Sequence, residues 1–103
     1  MNTSTKLSRN IPELVRKHIA LFDSFDHVYL FGSALNNDIF YNDIDLLIIY
    51  AEYSDKINND LKLISEELEK ASGAPIDLTV LSVEEEKETA FLEKINFHCL
   101  KLK

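Results

Sequence analysis

The stretch Asp43 to Tyr50, DIDLLIIY, sets the tightest limit on how this chain folds. Its apolar residues fall on both faces of an extended strand: Ile44, Leu46 and Ile48 on one, Leu47 and Ile49 on the other. Such a strand is predicted to be central and covered on both sides. Yet the same run opens with two carboxylates two residues apart, which alternation places on one face. A charge carried on a covered strand is costly unless something pairs with it. The chain therefore has to build layers around this strand and also find a use, or an escape, for Asp43 and Asp45.

The remaining pattern supplies the layers. Residues 1–9 are rich in Ser, Thr and Asn and are expected to fray. Asn10-Ile11-Pro12-Glu13 has the spacing of a capping box, and Ile11, Leu14, Val15, Ile19 and Phe22 give the apolar face of a helix ending near Phe25. His27 to Phe31, HVYLF, reads as a strand broken by Gly32-Ser33. Ala34 to Asn42 is a polar connection. Ser54 or Asp55 caps a long helix with apolar positions Ile57, Leu61, Ile64, Leu68 and Ala71, stopped by Ser72-Gly73-Ala74-Pro75. Ile76 to Leu81, IDLTVL, is a third strand. Ser82-Val83-Glu84-Glu85 is a second capping box, and the spacing of Phe91, Ile95 and Cys99 predicts one C-terminal helix over 83–103. Helix, strand, strand, helix, strand, helix means helices packed on a small mixed sheet, in the α/β or α+β class, as one domain over 1–103.

Composition narrows the function. A net charge of −7 repels polyphosphate, so non-specific nucleic-acid binding is not expected. Cys99 is the sole cysteine, so no internal disulfide forms, and no run is long enough to span a bilayer. These features point to a cytoplasmic protein that uses no membrane. His18, His27 and His98 have no zinc spacing with Cys99, and no P-loop or dinucleotide fingerprint is present.

Asp77 opens the third strand between Ile76 and Leu78, so it can converge with Asp43 and Asp45 if the two strands are neighbours. Three like charges together raise one another's pKa, and a divalent cation removes the conflict. Mg²⁺ takes a few carboxylate oxygens and keeps the rest of its shell for water and substrate phosphate. The plainer reading is that Asp43 and Asp77 only begin their strands. Gly32 and Ser33 end a strand where free backbone N–H groups favour phosphate, although a Gly-Ser turn alone is usually just a turn. Phe40 and Tyr41 could stack on a base or simply pack locally, and Asp38 lies off the strand.

Taken together, Phe31-Gly32-Ser33, a nine-residue spacer, Asp43-Ile44-Asp45 and the later Asp77 resemble the nucleotidyltransferase superfamily related to DNA polymerase β. The resemblance runs from about Ile11 to Leu81 and is closest to minimal members of the antitoxin type. It implies that Gly32 and Ser33 hold the triphosphate of a nucleoside triphosphate, ATP first. It implies that Asp43 and Asp45 bind two Mg²⁺ ions, with Asp77 joining them and helping to activate an acceptor hydroxyl. It also implies a partner protein as acceptor, as in antitoxins that silence a HEPN-domain toxin, with an oligomer left open. Many minimal members carry Arg soon after Gly-Ser; this chain has Ala34-Leu35-Asn36-Asn37-Asp38 instead. The rival expectation is a binding module without chemistry, using Phe91, Leu92, Ile95, Phe97 and Leu100 as its contact surface.

Overall fold

The computed structural model describes residues 11–32, 43–95 and 98–103. Four strands form one mixed sheet: β1 (His27–Phe31), β2 (Ile44–Tyr50), β3 (Ile76–Ser82) and β4 (Cys99–Lys101), in the order β3-β2-β1-β4. β2 is central, as its two apolar faces require, antiparallel to β1 and parallel to β3. The parallel pair needs a crossover, which the long helix α2 (Asp55–Ser72) provides.

One sheet face carries the main core. Val28 and Leu30 of β1 and Ile44, Leu46 and Ile48 of β2 pack with Ile57, Ile64 and Leu68 of α2. Ile11 and Val15 of the first helix, α1 (Ile11–Lys17), join them, with Phe22 and Phe25. The apolar stripe of α2 ends differently from expectation. Ala71 is exposed and Ser72, four residues after Leu68, is buried, its hydroxyl accepting from the Ala74 amide at 3.1 Å. Ser54 stands at the N-cap without a side-chain cap bond, and Gly73 closes the helix in a left-handed conformation, φ 75°.

The first helix is shorter than its periodicity predicts. The His18 ring nitrogen donates to the Leu14 carbonyl at 2.9 Å, taking the place of its own amide, which bonds to Val15 instead. α1 stops there and a 3-10 turn, Ile19–Phe22, carries the chain on to Phe25. Ser24 then donates to Asp60 of α2 at 2.6 Å, and Lys56 reaches both groups. The Ser24 bond, with help from Lys56, holds the Asp60 carboxyl below its usual range. The Asn10 capping box lies outside the described residues.

The continuous C-terminal helix expected over 83–103 is not formed. Its capping box is present, with Ser82 and Glu85 exchanging bonds, but α3 covers only Val83–Thr89. Ala90 then takes a left-handed φ of 51°, and the Glu86 carboxylate accepts from the Leu92 amide. A single turn, α4 (Phe91–Lys94), follows, and the chain returns as edge strand β4 beside β1. The reason is the period-two pattern Cys99-Leu100-Lys101-Leu102, which sets Leu100 opposite Leu30 and Leu102 against the core. Lys103 secures this edge by donating to the Phe22 and Phe25 carbonyls at 2.7 and 2.6 Å.

Leu46 is fully buried at the middle of this arrangement. Leu46→Ala is expected to cost about 2–5 kcal/mol, since the helix-covered sheet collapses poorly around a cavity. Urea denaturation should show a lower midpoint with an unchanged slope.

Candidate active site

The second sheet face carries the polar residues that the core excludes. Strand registers align Asp77 of β3, Asp45 of β2, Phe31 of β1 and Cys99 of β4 in one row across the sheet. Paired residues point to the same face, so these four side chains stand side by side. The next row is Thr79, Leu47, Tyr29 and Lys101. α3 lies against β2 and β3, and Phe91 of α4 meets Phe31 edge-on, with ring centres 5.6 Å apart. Leu47 and Ile49 are buried, so the deep part of this face is closed and its carboxylate end is not.

Asp43 is two residues before Asp45 on the same face. The structure brings Asp43, Asp45 and Asp77 together, each offering a carboxylate oxygen within 4.8 Å of the others. Asp43 and Asp45 are half-buried, and Asp77, on the outer strand, is exposed. Burial pushes the Asp45 carboxyl up, and the charges of Asp77 and Asp43 push it further in the same direction. A set of three hard oxygen donors under mutual repulsion fits a magnesium-like cation.

Gly32 completes the site from the end of β1. Its φ is 80°, a conformation that L side chains rarely adopt. A Cβ built there would also overlap the Asp45 carboxylate. The glycine is thus required twice, once for the turn and once so that backbone and carboxylate can lie in contact. Ser33, Asp38, Phe40 and Tyr41 lie outside the described residues.

Phe31, which the sequence pattern marks only as the apolar residue before Gly32, is a neighbour of the carboxylates. It was legible: Val28 and Leu30 are the aliphatic half of HVYLF, which leaves Tyr29 and Phe31 on the other face. Cys99 is half-buried on β4, and burial pushes its thiol up, away from reactivity. Tyr29 is likewise raised by burial, with Cys99 and Glu86 adding to it.

The family model for polymerase beta nucleotidyltransferases matches residues 10–98, which includes the whole of this site. The chain belongs to the polymerase β nucleotidyltransferase family. Solved structures agree with that fold. A chain of the Shewanella oneidensis complex between a tri-AMPylated HEPN toxin and MNT antitoxin is 21% identical, with a TM-score of 0.54 over 89% of this chain and 71% of that one. A toxin–antitoxin structure with AMP-PNP gives 20% identity and a TM-score of 0.61 over 89% and 72%. A toxin–antitoxin mutant of the MntA type, with two aspartates two positions apart changed to glutamate, gives 17% and 0.59 over 92% and 73%. At these identities the likeness speaks for the fold. No curated protein matches the sequence. Among the described residues, no helix is long and apolar enough to cross a membrane.

Two outcomes follow from the geometry. Because the folded pKa of Asp45 is raised above its unfolded value, the folded state holds the extra proton between the two. The contribution of Asp45 to the stability of the metal-free protein is therefore fully present below its unfolded pKa and is lost as pH rises through the folded one. Asp45→Asn should raise the melting temperature at neutral pH without divalent ions and flatten that pH dependence. Gly32→Ala should do the reverse: a left-handed alanine costs about 1–2 kcal/mol before any clash with Asp45 is counted. Its melting temperature should drop at every pH, measured by circular dichroism.

Proposed function

We propose that this protein is a Mg²⁺-dependent nucleotidyltransferase that moves a nucleoside monophosphate from an NTP, ATP first, to a hydroxyl on a partner protein. The observation that carries the reading is the meeting of Asp43, Asp45 and Asp77 beside the Gly32 backbone. Family membership supports the reaction class. Two neighbours support the acceptor class, one a complex with an AMPylated toxin and the other a toxin–antitoxin structure with AMP-PNP. By that analogy the partner is a HEPN-type toxin and the setting is the cytoplasm.

Each residue has work suited to its place. Asp43 and Asp45, half-buried and close, would hold two Mg²⁺ ions between them, with Asp77 as a further ligand. When bound, the ions polarise the phosphoryl oxygens and stabilise the attacking and leaving oxygens of an in-line displacement. Gly32 would offer its backbone to the outer phosphates, and the family resemblance gives Ser33 the same task. Asp77 is exposed at the sheet margin, so an acceptor hydroxyl can reach it and give up its proton there. The acceptor oxygen forms a bond to the α-phosphorus, the bond to the bridging oxygen breaks, and pyrophosphate leaves.

Asp43→Asn with Asp45→Asn should abolish transfer to the partner while keeping the fold, followed with a labelled NTP and by circular dichroism. In wild type, Mg²⁺ and NTP together should raise the melting temperature. At a ligand concentration of a hundred Kd the gain is about 2.7 kcal/mol, and the double variant should show none of it. Transfer by the double variant at the wild-type rate would overturn the mechanism.

A further inference from the structure

The row across the sheet also indicates where the parts of the donor nucleotide lie. Asp77 is on the β3 side and exposed, Asp45 is central, and Phe31 is the first residue beyond the carboxylates on the β1 side. Gly32 follows Phe31, with its backbone against the Asp45 carboxylate. An in-line displacement puts the acceptor and the departing pyrophosphate on opposite sides of the reacting phosphorus. Asp77 and Gly32 lie on opposite sides of Asp45 and suit those two places. The nucleoside, bonded to the same phosphorus, has to lie on the sheet face within reach of Asp45.

Phe31 is an aromatic side chain on that face, directly opposite Asp45. Cross-strand neighbours stand about 5 Å apart at Cβ, so its ring adjoins the Asp45 carboxylate. The ring is half-buried and keeps part of its surface open. Phe91 meets it at 75° with ring centres 5.6 Å apart, an edge-to-face contact that fixes its orientation. A fixed, part-open aromatic ring beside a phosphate site is a stacking platform. It offers no hydrogen-bond code, and every base has a π-face.

We propose that Phe31, held by Phe91, is the platform on which the base of the donor nucleotide stacks. This rests on the nucleotidyltransferase reading above and adds the residue that binds the nucleoside. Recognition through a bare π-face makes the site tolerant of base identity, with purines ahead of pyrimidines by their larger stacking area.

The test is isothermal titration of the full chain with MgATP and with magnesium tripolyphosphate, which has the phosphates and no base. Wild type should bind MgATP about tenfold more tightly than the base-free probe, equivalent to ~1.4 kcal/mol. Phe31→Leu should lose that advantage and bind tripolyphosphate as wild type does. Equal binding of the two probes by wild type would overturn the proposal without needing any variant. So would a Phe31→Leu protein that binds both probes normally, or one that loses both to the same degree, since the ring would then serve packing alone. Wild type binding neither probe would sink the nucleotidyltransferase reading itself, an outcome distinct from the others.

Discussion

The structure turns on the parallel pairing of β2 with β3, which sets Asp45 directly opposite Asp77. With Asp43 close by, three carboxylates meet on one sheet face. Two ionised groups within 4.8 Å of each other repel by at least about 3.5 kcal/mol at an effective dielectric constant near 20. Burial of one Leu or Ile side chain contributes about 1.5–3 kcal/mol. β2 buries five of them, Ile44, Leu46, Leu47, Ile48 and Ile49, a gain of the same order as the repulsion among the three carboxylates at its mouth. The carboxylates are held together by a core that they do not help to form. That is the relation expected of a functional site resting on a scaffold.

The same division explains which parts were legible in the sequence. β1, β2 and β3 could be read almost to their ends, because their apolar and β-branched runs, with Gly32 after β1 and Pro75 before β3, are local signals. The carboxylate trio could be read because charge on a covered strand is conspicuous. What local signals could not settle was competition with tertiary contacts. His18 carries no sign that its ring will take the Leu14 carbonyl and end α1 early. The segment after Thr89 satisfies both a helical and an alternating pattern. The strand wins at Cys99–Lys101 because β1 has a free side beside it, and because Leu100 and Leu102 reach the core that way. The apolar residues once counted as a contact surface are therefore partly spent inside the fold: Phe91 lies on Phe31 and Leu100 opposite Leu30.

Gly32 is the case in which sequence and structure say different things about one residue. In the sequence it ends a strand and suggests a phosphate turn. In the structure its missing side chain is also what lets the Asp45 carboxylate sit against the backbone. One atom fewer at position 32 thus sets both the path of the turn and the position of a ligand one strand away. The link is physical and short: Phe31 pairs with Asp45, so the next residue lies just above it.

Charge decides how such a site can work. The chain carries a net −7, and residues 33–42, between the glycine turn and the aspartates, contain no Lys or Arg. A bare triphosphate approaching Asp43, Asp45 and Asp77 is repelled by all three, and backbone amides at one turn are too weak to offset it. On the function proposed above, the attraction would arrive with the ligand, as cations shared between carboxylates and phosphates. Metal and nucleotide would then bind as one unit, each poorly alone, because the charge of each is what admits the other.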